Sequence, residues 1–291
     1  MGILFSLSAS EDTRRRRLRD LALVPDILLG MPHLTPFGLS ETWLLKELAH
    51  RHWLLLGEQM GLDDADFRAD DGGEIYAAIC ASSLTDGAGL EQFGANDILT
   101  IASSMEPVGY ASTSSRHVLL RDGLRLAEVE LISTFVQRLE AGRNASIARV
   151  RARLLPGGGT PNTLAQRARA VRQGDLSSLG ALPAAPADLC RPFHFLPVPI
   201  QDFNGAGLLY FAHFQGVFDR ALSSWGEGSA PSLLARDIYY LGNIDAGQPV
   251  TVALEAVSAD GRSLHMSLCD PAGNRLALEA VTFAQAWTAF S

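Results

Sequence analysis

Lysine is nearly absent from this chain: of its 24 basic residues only Lys46 is not an arginine. That bias reads as codon composition, not function. Positive charge is also in deficit. The 32 acidic residues leave a formal net charge of -8 at pH 7, which excludes a general nucleic-acid binder, because such a protein needs a basic face. Long apolar runs are missing too. No stretch approaches the roughly 20 residues of a membrane span, so no membrane partner is expected. Near the N-terminus Glu11 and Asp12 precede the arginines at 14–17, the wrong order for a secretory signal. Those arginines form either a patch for an anionic partner or the solvated face of a helix. Cysteine is scarce: Cys80, Cys190 and Cys269 are odd in number and widely spaced. That spacing suits neither a disulfide framework nor a metal site, and points to reduced thiols in a cytoplasmic protein.

What is present is a large stock of core-forming residues. The 291-residue chain is 47% hydrophobic and 19% charged, enough for one large domain or two of about 140 residues. Residues 31–53, MPHLTPFGLSETWLLKELAHRHW, run from a loop into a long amphipathic helix. Ser40 is the N-cap and Glu41 the early acid. Leu44, Leu45, Leu48, His52 and Leu55 recur at helical spacing. An acidic turn at 63–73 follows, then strand candidates at 74–84, 98–106, 110–120, 124–139 and 146–155. Several strands in series after one helix imply an antiparallel sheet, not βαβ units. Residues 156–161 end this block. Residues 162–190, rich in Ala, Pro, Gly and Ser, read as a linker with one short helix. A second block has a strand at 193–203, the loop NGAG, a helix from about 208 to 225, and strands at 235–241, 250–258, 263–269 and 275–286. Asp270-Pro-Ala-Gly-Asn274 supplies a hairpin turn.

The blocks overlay. Thr35-Pro-Phe-Gly38-Leu39 corresponds to Asn204-Gly-Ala-Gly207-Leu208, and the helices end at Trp53 and Trp225. The next strands begin Glu74-Ile75-Tyr76 and Asp237-Ile238-Tyr239. A self-similar period of roughly 160 residues implies two copies of one fold packed together. The expected organisation is an extension at 1–30, a first domain at 31–160, a linker at 161–190 and a second domain at 191–291.

A long helix wrapped by an antiparallel sheet is the hotdog fold, so the expected class is α+β: a double hotdog of two sheets, each around its own helix. DFNGAGLLYFAHFQGVFDRALSSW resembles the loop and helix of hotdog acyl-CoA thioesterases, in which an Asp-x-x-Gly loop precedes an aromatic helix. MPHLTPFGLSETWLLKELAHRHW resembles the leinamycin-type bifunctional acyltransferase/decarboxylases of polyketide biosynthesis, which are double hotdogs. That resemblance covers most of residues 31–290. It implies a malonyl- or methylmalonyl-CoA substrate, self-acylation of a tyrosine, decarboxylation, and transfer of the acyl group to an acyl carrier protein. It implies no cofactor beyond the coenzyme A thioester itself. The tyrosine of that family lies on the strand after the first helix, where this chain has Tyr76. Hotdog edges often pair, so a homodimer is expected.

As a nucleophile the Tyr76 phenol, with a pKa of about 10, needs a cation or donors that stabilise phenolate. Alternatively it is a half-buried strand residue with its hydroxyl at the surface. The loop His33, Thr35, Gly38, Leu39 and Ser40 opens a helix whose N-terminal N–H groups suit a thioester oxyanion. Gly38 permits close approach, and His33 is either a substrate ligand or a local contact. Thr35 and Asn204 stand where a hotdog thioesterase of this loop type carries aspartate, and neither can act as a carboxylate base. That absence disfavours hydrolysis and suits an anionic substrate, with Asn204 orienting a carbonyl or carboxylate. His50 and His52 point about 200° apart on a helix, which excludes a shared metal. The arginines of 113–173, Arg116, Arg121, Arg125, Arg143, Arg149, Arg151 and Arg153 among them, meet acidic carriers, coenzyme A phosphates or solvent. Two other functions fit the sequence: a thioesterase or dehydratase on acyl-CoA or carrier-bound chains, and a catalytically inactive module that binds a carrier.

Overall fold

Period-2 alternation along the two blocks builds strands that pair into one continuous sheet. The computed structural model describes residues 24–289 apart from 63–64, 70, 110, 151–158, 187–188, 190 and 227–230, together with Arg17 and Asp20. Across the sheet the antiparallel order is β1 (Asp26–Leu28), β5 (Ile98–Pro107), β6 (Ser112–Arg121), β7 (Leu124–Arg138), β4 (Tyr76–Thr85), β10 (Leu233–Tyr240), β13 (Arg275–Phe283), β12 (Ser263–Cys269), β11 (Val250–Val257) and β9 (Phe193–Phe195). β8 (Ile147–Arg149) pairs with β7, and β2 (Leu34–Thr35) with β3 (Gly38–Leu39) forms a separate hairpin. The order is palindromic about the central β4–β10 pair, so β4, β7, β6, β5 and β1 have counterparts in β10, β13, β12, β11 and β9.

That central pairing corrects the expectation of two separate sheets. Ala235 faces Thr85 and Tyr239 faces Ala81, so the two inner edges satisfy each other's backbone groups instead of leaving them exposed. The helices α1 (Glu41–Gln59) and α4 (Phe211–Trp225) lie together on one face. Ser40 caps α1 by accepting a hydrogen bond from the Trp43 N–H at 3.3 Å, and the helix continues past Trp53 to Gln59. One core contains Leu44 and Leu48 of α1, Phe214 and Phe218 of α4, and Leu84 and Ile238 of the central strands. The linker helix α2 (Thr163–Arg172) covers the opposite face, packing Leu164, Ala168 and Val171 against Cys80, Ile132 and Tyr239. Beyond it the chain crosses to the far edge, where Val257 donates to Pro183 O at 3.0 Å and Ala185 to Glu255 O at 2.9 Å.

Two local readings change. The strand expected at 193–203 is only β9, followed by the single-turn helix α3 (Pro199–Asp202). Pro197 and Pro199 cannot donate to a ladder, and proline suits the first position of a helix. The second long helix begins at Phe211, not near 208, because Leu209 closes a bridge to Phe203. The expectations for the arginines at 14–16, for Cys190 and for Arg151 and Arg153 fall outside the described residues. Among the described residues no helix is long and apolar enough to cross a membrane.

Candidate functional site

β4 is longer than its pairing with β10. Only residues 81–85 face β10, so residues 76–80 have no strand on that side. The space is enclosed by the loop 204–209, the start of α4 and the chain leaving β10, and it forms a cavity of about 670 Å³. Tyr76 and Asn204 both line it.

The loop is built from its own polar groups. Asn204 Oδ1 accepts from the N–H of Ala206 at 3.0 Å and of Leu208 at 3.1 Å, an Asx turn that fixes the loop. Gly207 takes the left-handed φ of +70° that the turn needs. The first half then clamps the loop. Arg138 at the end of β7 donates to Ala206 O at 2.6 Å, and Asn144 Nδ2 donates to Gly207 O at 2.7 Å and to Ile244 O at 2.6 Å. Asn243 exchanges two bonds with the backbone of Leu209, at 3.0 and 2.9 Å. Tyr210, the N-cap of α4, offers no side-chain cap. The His213 N–H turns back to Tyr210 O at 2.8 Å, which leaves the N–H groups of Phe211 and Ala212 for water or a ligand, and Tyr210 and Phe211 lie in the cavity wall.

In the same cavity, the Tyr76 hydroxyl donates to Glu74 Oε2 at 2.6 Å. The Arg138 guanidinium lies 5.7 Å from the Tyr76 ring centroid. Burial and the Glu74 carboxylate push the Tyr76 pKa above its ordinary value, while Arg138 works the other way. The resting group is thus a neutral phenol held by a carboxylate. The cavity reaches both faces of the sheet. Leu209, Phe211, Phe214 and Tyr240 belong to the core under the long helices, whereas Cys80 belongs to the core under α2.

His33, Thr35, Gly38, Leu39 and Ser40 lie at the matching place in the other half, and none of them lines this cavity. His33 Nδ1 accepts from the Gly30 N–H at 2.8 Å, and its ring sits 4.6 Å from that of Trp43. Thr35 Oγ1 closes the β2–β3 turn, donating to Gly38 O and accepting from Phe37 N, both at 3.2 Å. Leu39 is core, and Ser40 caps α1. Gly38, at φ +111°, does permit a close approach, but to the chain itself: a Cβ there would overlap the Leu90 carbonyl. The 3₁₀ turn Gly87–Gln92 carries Leu90 and packs against β3 and β10. At the start of α1, Glu41 ion-pairs with buried Arg236 at 3.2 Å. The loop of the second half borders the cavity, whereas the loop of the first half packs at Gly38 against the Leu90 turn.

The equivalence also pairs His33–Trp43 with Asp202–His213. Ser40 N donates to His33 O as Tyr210 N donates to Asp202 O, both at 2.9 Å. Asp202 Oδ2 accepts from Val198 N at 2.6 Å and Oδ1 lies 3.0 Å from His213 Nδ1. Burial, with Lys46 nearby, holds the His213 pKa below its usual range although Asp202 pulls it up. Neither Asp202 nor His213 lines the cavity.

Glu74, Arg138, Asn144 and Asn243 escaped the sequence reading. Glu74 had a signal, since residues two apart on an extended chain share a face. The others reach the site only through pairings far along the chain. His52, considered above as a metal ligand, is fully buried between Ser115 and Ser133, 2.7 Å from each.

No family model matches the chain, and no curated protein matches its sequence. Solved structures do share its fold. The acyl-ACP thioesterase from Bacteroides thetaiotaomicron VPI-5482 superposes with a TM-score of 0.56 at 9% identity, covering 88% of this chain and 95% of that one. The 12:0-ACP thioesterase from Umbellularia californica gives 0.58 at 8% identity, covering 91% and 96%. A protein assigned as an oleoyl thioesterase from Lactobacillus plantarum gives 0.60 at 11% identity, covering 93% and 99%. At these identities the likeness establishes the fold, which is the hotdog fold of these thioesterases.

Proposed function

We propose that this chain is a double hotdog that hydrolyses an acyl thioester of coenzyme A or of an acyl carrier protein in the cavity between β4 and the loop 204–209. The observation that carries the reading is the Tyr76–Glu74 hydrogen bond of 2.6 Å in the wall of the cavity that also holds the uncapped start of α4. The missing loop aspartate, which argued against hydrolysis, is answered by Glu74, a carboxylate supplied to the same cavity by the residues before β4. The acyl chain lies against Phe211 and Phe214. The thioester oxygen takes the first N–H groups of α4, where charge develops as the tetrahedral intermediate forms. Water attacks the carbonyl carbon and Glu74 takes its proton. The C–S bond then breaks, and that proton passes through the Tyr76 hydroxyl to the leaving thiolate, giving free acid and thiol.

Thiol release from an unbranched acyl-CoA tests this. Removing either partner of a proton-transfer pair costs about 10²–10⁴ in rate. Tyr76→Phe and Glu74→Gln are therefore expected to lower kcat by at least about 100-fold with KM little changed. Wild-type rates in both variants would exclude these roles.

The decarboxylating acyl transfer implied by the resemblance is the second reading. The Arg138 cation over the Tyr76 ring favours it, because it stabilises phenolate and attracts a malonyl carboxylate. Carbon dioxide release from methylmalonyl-CoA, with an acyl adduct on Tyr76 in the intact-protein mass, would select it over hydrolysis.

A further inference from the structure

We infer that Arg149 and Arg172 form a phosphate clamp at the α2-side mouth of the cavity, taking the phosphate carried by the handle of the thioester. The inference rests on the preceding reading for which end of the cavity holds the acyl chain. Both residues line the cavity, and they come from separate elements. Arg149 ends β8, in the cross-strand row Tyr76–Val136–Arg149. Arg172 ends α2 and donates to Tyr240 O at 3.0 Å.

No carboxylate among the described residues pairs with Arg149 or Arg172, in a chain with 32 acidic residues against 24 basic ones. The other arginines of this region are satisfied. Arg275 pairs with Glu255 at 2.6 Å, and Arg138 is bound by Asn144 and Ala206. Arg149 and Arg172 instead are exposed side chains that line the same cavity as buried Cys80. Burial and the Arg149 charge lower the Arg172 pKa, and both cations pull down a Cys80 thiol that burial pushes up. Two guanidiniums without an anion are under mutual repulsion that a phosphate relieves, through charge-assisted and bidentate hydrogen bonds.

The cavity's polarity orients the ligand. Its apolar lining, Phe211 and Phe214, belongs to the core under the long helices, while Cys80 beside the arginines belongs to the core under α2. A thioester with its chain in the first compartment and its carbonyl at α4 leads its handle out past the arginines. Coenzyme A and carrier-bound thioesters both bear a phosphate on that handle.

Calorimetric binding of coenzyme A and of pantetheine, which lacks the phosphates, tests the clamp without requiring turnover. Coenzyme A is expected to bind at least tenfold more tightly than pantetheine, with the advantage shrinking as salt rises. Arg149→Gln/Arg172→Gln is expected to bring the two affinities within about twofold. An unchanged ratio in that variant overturns the clamp. If the double variant does not fold, Arg149→Gln decides alone, since Arg149 makes no side-chain hydrogen bond among the described residues: a drop in the ratio supports the clamp and an unchanged ratio rejects it. If malonyl-pantetheine binds more tightly than acetyl-pantetheine and the variant abolishes that preference, the pair reads a substrate carboxylate and the phosphate assignment is wrong. Phosphate-dependent binding without thiol release would keep the clamp and reject hydrolysis.

Discussion

Burial and the Glu74 carboxylate both favour the protonated phenol of Tyr76, and Arg138 only partly offsets them. The sign follows directly: a raised pKa keeps the hydroxyl protonated beyond pH 10, so Tyr76 donates or relays a proton and is not a standing phenolate. Ultraviolet titration of the phenolate checks this. The Tyr76 component, identified by subtracting Tyr76→Phe, is expected above pH 10 in the wild type and at lower pH in Glu74→Gln, which removes the acceptor and its charge. A Tyr76 titration below pH 10 in the wild type would point back to nucleophilic chemistry. Asn204 was legible as a candidate because a loop motif marks it, and Tyr76 because its place in the repeat matches the tyrosine of the family the chain resembles. The five candidates from His33 to Ser40 were chosen by the same grammar. What separates the two loops is packing that local sequence does not encode: the Leu90 turn lies against Gly38, while Asn204 borders the cavity.

Among the elements, α1 is tied to the sheet by a buried polar chain. His52 bonds Ser115 and Ser133, Ser115 bonds His117 Nε2 at 2.8 Å, and His117 Nδ1 bonds Ser103 at 2.8 Å. Burial holds both imidazoles neutral, with pKa values lowered to about 3. The unfolded chain then binds more protons than the folded one below pH 6.5. The stability these groups contribute is complete above 6.5 and is lost as pH falls toward 3. His52→Gln keeps the polar contacts without the titration. Its stability deficit relative to wild type in urea unfolding is expected to shrink by about 2 kcal/mol between pH 7 and pH 5. A deficit independent of pH would show that His52 does not titrate as burial dictates. The elements themselves were largely readable, because long periodic segments carry strong signals: β12 matches its expected span and α1 begins at its expected cap. The network was not readable, since its members lie up to 81 residues apart and look like ordinary strand hydroxyls.

At the scale of the whole molecule the halves share one sheet, one core and one buried charge cluster. Arg236 of β10 meets Glu41 of α1 at 3.2 Å, Asp219 of α4 at 2.7 Å and Glu279 of β13 at 3.1 Å. Above pH 8, where both buried glutamates are ionised, removing the only cation of this group leaves them unpaired, so Arg236→Met is expected to cost about 3–5 kcal/mol there. The first and second halves are expected to unfold in a single calorimetric transition, and two resolved transitions would contradict a shared core. Burial raises Glu279 to about 8 and Glu41 to about 7, against the pull of Arg236. Their contribution is therefore lost as pH rises from 4.5 through these values, opposite in sign to the histidines. Glu279→Gln is expected to flatten the alkaline side of the stability profile. The palindromic order was implicit in the repeat, but the fusion into one sheet depends on the β4–β10 register, which no local pattern announces.

The central claim is that the thioester occupies the cavity between β4 and the loop 204–209, and a crystal structure with a hydrolysis-resistant acyl-CoA analogue tests it most directly. The account predicts the carbonyl oxygen about 3 Å from the N–H groups of Phe211 and Ala212, the acyl chain against Phe214, and Tyr76 with Glu74 beside the reacting carbonyl. An analogue bound beside His33 and Ser40, with this cavity empty, would contradict it.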